Sequence, residues 1–199
     1  IEEHLVCKIT FKAVQMHNLV EGVMVVFEDR PDINDVVEMY KKQANLDQLT
    51  GIANRFGFYD EYAKATSSMD GDFLFAVAII DIDDLKRIND REGHLIGDKY
   101  IKNTAESIGK FLRDGDILAR WGGDEFIVIL LDVFTTNHVE KLVNRLILNV
   151  HQHTRKLGTP VNLSVGSALW KHNGFTLSDL IGYADKKMYE DKQRNKDSA

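Results

Sequence analysis

The chain has 199 residues, 44% of them hydrophobic, enough for one full domain with a smaller piece beside it. Its 25 Lys and Arg stand against 31 Asp and Glu, and the net charge of −6 argues against a surface built for a nucleic-acid polymer. The lone cysteine, Cys7, excludes an intrachain disulfide and a cysteine-based zinc site, and fits a reducing compartment.

No apolar run approaches the roughly 18 residues of a membrane span, and no signal peptide is visible, so no membrane contact is expected within these residues. A chain that opens at Ile1 reads as a piece of a longer protein, whose other parts could carry a membrane anchor. Residues 1–29 predict two strands, "HLVCKITFKAVQ" and "LVEGVMVVFED", joined at "MHN". Two strands alone are marginal, so this is a hairpin from a larger sheet or an arm that docks elsewhere. After Pro31, Asp32 or Asn34 offers a helix cap. Ile33, Val37, Tyr40 and Ala44 then recur at steps of four, three and four, as in an amphipathic linker helix or a dimerising one.

From Asp47 helices and strands alternate. Helices are expected at about 54–67, 84–92, 97–112, 136–157 and 177–193. The third of these carries Ile101, Ala105, Ile108 and Leu112 at helical steps. Strands are expected at "FLFAVAIIDID" (73–83), "DILARW" (116–121), "EFIVILL" (125–131) and "VNLSVGSALW" (161–170), with Gly122-Gly123 as a hairpin turn.

The chemistry gathers at strand ends. Asp81 and Asp83 share one face of a strand end, because side chains alternate with period two. Acids ending a buried apolar strand are costly unless paired, protonated or bound to metal. Asp124 and Glu125 open another apolar strand, and if the two strands are neighbours three or four carboxylates converge. Such hard oxygen donors suit Mg²⁺ or Mn²⁺ and a phosphoryl or nucleotidyl transfer site; alternatively Gly-Gly-Asp-Glu is a solvated turn. In the connecting segment, Lys86 offers a point charge to a phosphate, while Asn89 and Asp98 together can read a guanine edge. His94, standing alone, reads more readily as structural than as catalytic. Arg113 and Asp116 fit a bidentate phosphate and base contact or a surface ion pair at a helix end.

From Asp47 to Lys196 the chain resembles the GGDEF-domain diguanylate cyclases. Gly122-Gly123-Asp124-Glu125-Phe126 carries the signature, "DQLTGIANR" (47–55) resembles the family's opening motif, and "DIDDLKRINDREGHLIGD" (81–98) resembles its metal and base-binding segment. "LSVGSA" and "ADKKMYEDK" are similar to its late strand and final helix. The resemblance implies an α+β, palm-like fold with a mostly antiparallel sheet flanked by helices. It implies condensation of two GTP into cyclic di-GMP with release of two pyrophosphates, by two domains facing each other in a homodimer. It places Asp81, the Ile82 carbonyl and Asp124 on Mg²⁺ or Mn²⁺, and Asp124 and Glu125 as the catalytic pair. Asn89 and Asp98 would hold guanine, with Asp98 favouring GTP over ATP. Lys86, Lys192 and Lys196 would meet the phosphates, and His94, Gly122 and Gly123 would line the substrate. Arg113 and Asp116 match an inhibitory product site of the RxxD type.

The sequence departs from the family pattern in places. Leu85 stands for Phe, Trp121 for Tyr or Phe, and Asn195 and Lys196 where Gly and Arg are common. "LVEGVMVVFEDRPDIND" resembles the last strand and exit of a PAS domain. The expected organisation is therefore a truncated PAS-like piece over 1–30, a signalling helix over 31–46 and the cyclase domain over 47–199, with the catalytic part in the cytoplasm. A silent domain that binds cyclic di-GMP or GTP without turnover is the alternative; the intact Asp81, Asn89, Asp98 and Asp124 favour the enzyme.

Overall fold

A computed structural model describes residues 7–16, 19–29, 33–67 and 74–197, and every structural statement here concerns those residues. The chain divides after Ala44 into two compact units.

The first unit holds β1 (Cys7–Met16) and β2 (Leu19–Asp29), an antiparallel pair that sets Cys7 opposite Asp29 and shifts register between Val14 and Gln15. Helix α1 (Ile33–Ala44) follows. Asn34 is its second residue and so does not cap it, while Asp32 lies outside the described residues.

The second unit is α2 (Arg55–Ser67), β3 (Phe75–Ile82), α3 (Leu85–Glu92), α4 (His94–Phe111), β4 (Ile117–Arg120), β5 (Glu125–Leu131), α5 (Thr136–Lys156), β6 (Leu163–Leu169) and α6 (Leu177–Asp197). The four strands lie in the order β4-β5-β3-β6, every neighbouring pair antiparallel, with helices on both faces. Strand β3 is buried along its whole length, which explains why "FAVAII" is a continuous apolar run rather than an alternating one. Its Ala76, Ala78, Ile80 and Ile82 join a core with Tyr100, Ile101, Ala105 and Ile108 of α4 and Val139, Leu146 and Val150 of α5. Its Phe75, Val77 and Ile79 join a second core with Phe58 of α2 and Leu180, Ala184 and Met188 of α6. This is the α+β sheet-and-helix architecture expected from the sequence.

Two boundaries differ in ways that matter for the site. Helix α4 begins at His94, three residues before the expected Gly97, because Gly93 (φ 88°) ends α3 and starts α4 within a single residue. Helix α6 runs to Asp197, four residues past Gln193, and so brings Asn195 and Lys196 onto a helix. That helix lies against β6 at van der Waals range: a Cβ on Gly166 would come 2.0 Å from the Ala184 carbonyl oxygen and 2.2 Å from the Met188 nitrogen.

Candidate active site

Strand register builds the site. Asp81, near the end of β3, sits directly across from Glu125 of β5 and Ser164 of β6. The Ile82 N–H donates to the Asp124 carbonyl oxygen at 3.1 Å, so the residue before β5 is tied to the end of β3. Between β4 and β5 the loop is four residues long, Trp121–Asp124, closed by the Trp121 and Gly122 N–H groups donating to the Glu125 carbonyl (2.8 and 3.3 Å). The hairpin expected at Gly122-Gly123 forms, with β4 and β5 antiparallel on either side of the loop, and neither glycine has a positive φ. What Gly122 provides is room: a Cβ there would approach Glu125 Oε2 to 3.1 Å.

A clamp that the sequence did not announce holds this loop. The Arg120 guanidinium donates through Nη1 to both oxygens of Asp47 (3.1 Å each), through Nε to the carbonyls of Gly122 and Gly123 (3.2 Å each), and through Nη2 to Gly123 (2.7 Å). Asp47 is itself fixed by the Thr50 N–H (2.9 Å) and hydroxyl (2.7 Å). Burial pushes the Asp47 carboxyl up, but the Thr50 and Arg120 contacts outweigh it and leave it below its ordinary value. The Asp-x-x-Thr spacing of "DQLT" is a recognisable turn signal; its link to Arg120 is not.

Asp81 is 3% exposed. Its carboxyl is raised from the usual 3.8 to about 6: burial is the largest cause, the Lys192 ammonium donating to Oδ1 at 2.6 Å opposes it, and the charges of Asp124 and Asp83 add to it. Lys192 is raised in turn, its burial outweighed by the contact with Asp81. Glu125 is raised by burial and by the neighbouring Asp124 and Asp185. The expected convergence of three or four carboxylates is not what forms: among the described residues no three Asp, Glu, His or Cys side chains gather as a metal-holding group. Asp83 explains part of the difference. Its carboxylate accepts from the Ser164 hydroxyl at 2.6 Å and from Asn195 Nδ2 at 3.3 Å instead.

On α3, the amide of Asn89 packs against α4 where Gly97 leaves space: a Cβ on Gly97 would stand 1.8 Å from Asn89 Oδ1. Among the described residues that buried oxygen has no hydrogen-bond partner. Asp98, half-buried, is the next residue of α4 after Gly97, one position beyond the point where Asn89 packs. His94 is exposed at the start of α4 and Lys86 is exposed on α3. Lys192 and Lys196 line a cavity of about 230 Å³ with Asp83, Asp84, Arg87, Asn162 and Asn195. Arg87, not Lys86, is the α3 cation on that cavity.

At the far end of β5, Asp116 accepts from the Leu131 N–H (3.0 Å) and the Arg113 N–H (3.2 Å), while the Arg113 guanidinium bonds the Leu131 carbonyl and lies 3.5 Å from Asp116 through Nε. Both residues border a cavity of about 320 Å³ that Arg145 and His138 of α5 also line.

Residues 44–198 match the family described as diguanylate cyclase, GGDEF domain, and the chain belongs to it. The probable diguanylate cyclase DgcT of Escherichia coli (strain K12) is 35% identical over 181 residues, 87% of this chain and 39% of DgcT. The cyclic di-GMP phosphodiesterase PdeR of the same organism is 31% identical over 152 residues, 75% of this chain and 23% of PdeR. The crystal structure of the coiled coil and GGDEF domain of DgcB from Caulobacter crescentus in complex with c-di-GMP superposes with a TM-score of 0.69 at 27% identity, covering 81% of this chain and 87% of that one. The chain thus spans 39% and 23% of these two curated relatives. Among the described residues no helix is long and apolar enough to cross a membrane.

Proposed function

We propose that the second unit is a diguanylate cyclase that condenses two GTP into cyclic di-GMP and two pyrophosphates. The observation that carries this reading is the meeting of Asp81, the Ile82 backbone and Asp124 at one end of β3 and β5, with a buried carboxylate held beside like charges. Two carboxylates and a peptide carbonyl are all hard oxygen donors. That set fits Mg²⁺ or Mn²⁺, which characteristically takes one or two carboxylates and completes its shell with water and substrate phosphates. When bound, the ion would neutralise charge on the α-phosphate.

The protein's own groups do the rest. Asn89 and Asp98 hold the guanine edge, the carboxylate accepting from N1–H and the 2-amino group. Lys192 and Lys196, with Lys86, meet the phosphates, and His94, Gly122 and Gly123 line the nucleotide. Asp124 and Glu125 receive or orient the 3′-hydroxyl proton as the O3′–Pα bond forms and the bond to pyrophosphate breaks. Each copy of the domain holds one GTP, so both bonds form only in a homodimer. Cyclic di-GMP returning to the cavity at Arg113 and Asp116 provides feedback inhibition. The unit would work in the cytoplasm, where GTP is found, with residues 1–30 as the end of a PAS-like sensor and residues 31–46 as the helix that passes on its state.

Replacing Asp124 tests the reading. Asp124→Ala should lower pyrophosphate release from GTP by roughly 10²–10³-fold, the scale of a lost transition-state contact, with an unchanged melting temperature. Undiminished turnover in that variant would overturn the metal-site reading. Tight binding of cyclic di-GMP without turnover by the unaltered protein would establish the silent receptor instead.

A further inference from the structure

Resting on the cyclase reading, we propose that Asn195 is a positioning residue: its amide pins the last turns of α6 to the ends of β3 and β6, holding Lys192 and Lys196 on the phosphate cavity. Asn195 Nδ2 donates to Asp83 Oδ2 at 3.3 Å and to Ser164 Oγ at 3.1 Å, and Ser164 Oγ spends its single proton on Asp83 Oδ1 at 2.6 Å. The donor–acceptor order closes without conflict. A carboxylate only accepts, so the amide must turn its NH₂ inward. Asp83 is fixed in turn through its backbone, whose N–H donates to the Asn162 carbonyl at 3.0 Å.

One helical turn earlier, Asp191 accepts from the Val165 N–H at 3.1 Å. Helix α6 is therefore stitched to β6 by side chains at positions 191 and 195, with Lys192 between the two stitches. Positions 192 and 196 are four residues apart and lie on one helix face, and both line the same cavity as Asp83 and Asn195. A lysine is a flexible point charge, so where its helix sits decides where its ammonium can reach.

The test compares two probes on the full chain with Mg²⁺: a GTP analogue with a methylene between the α and β phosphorus atoms, and guanosine, which has no phosphate. Asn195→Ala should weaken the analogue roughly three- to tenfold, the scale of one ordinary net hydrogen bond, and leave guanosine unchanged. Asn195→Gln, which keeps the amide, should recover part of the loss. Equal loss for both probes, or no loss for the analogue while the unaltered protein binds it, overturns the positioning role and leaves the cyclase reading standing. If the unaltered protein binds neither probe, the cyclase reading falls and this inference falls with it.

Discussion

Asp81 carries a cost that the fold does not need. A carboxyl whose folded pKa is about 6, against an ordinary 3.8, holds its proton more tightly folded than unfolded. Its contribution to stability therefore falls as pH rises from about 4 to about 6, and the deficit is complete at pH 7.5. The Lys192 contact reduces the deficit without cancelling it. In metal-free protein at pH 7.5, Asp81→Asn should raise the stability by about 1–3 kcal/mol, while cyclic di-GMP synthesis is lost. The gain should vanish near pH 4. A lower melting temperature for the variant at pH 7.5 would mean that the pair with Lys192 dominates. Arg113 poses the opposite question, since in this structure it bonds the Leu131 carbonyl and half of its side chain is exposed. Arg113→Ala should leave basal synthesis intact and shift inhibition by cyclic di-GMP to at least about tenfold higher concentration, as loss of a bidentate charged contact demands. Unchanged inhibition would return the Arg113–Asp116 pair to a purely structural role.

At the scale of elements, the β6–α6 contact sets the geometry of the phosphate side. Gly166→Ala would push a methyl group into the backbone of α6, where no flexible side chain can yield. The variant should lose about 3 kcal/mol or more, comparable to the larger overpacking penalties, and bind GTP more weakly because Lys192 moves with the helix. A melting temperature within a degree of the unaltered protein would contradict this packing. Most elements were legible in the sequence for identifiable reasons. The apolar run of β3 reflects burial on both faces, and the amphipathic steps of α4 reflect its single core face. The boundaries that were missed belong to tertiary causes. Gly93 joins α3 to α4 in one residue, and contact with β6 carries α6 past Gln193. The hairpin at Gly122-Gly123 was legible too, but not the length of its loop, because β4 ends at Arg120, where that side chain folds back on the loop carbonyls. The same limit applied within the site. Asp81, Asn89, Asp98 and Asp124 stood in local motifs, but the Arg120–Asp47 clamp joins residues 73 apart and the Asp83–Asn195 contact joins residues 112 apart, distances no local pattern encodes.

At the scale of the whole molecule, the account requires two copies of the second unit, each bringing one GTP to the other. The measurement that tests it most directly is incubation of the purified chain, stripped of nucleotide, with GTP and Mg²⁺ over a dilution series, with products resolved by chromatography and mass. The account predicts cyclic di-GMP and two equivalents of pyrophosphate, at a rate per chain that rises with protein concentration until dimerisation saturates. Folded protein at high concentration that binds GTP and forms no cyclic di-GMP would contradict it.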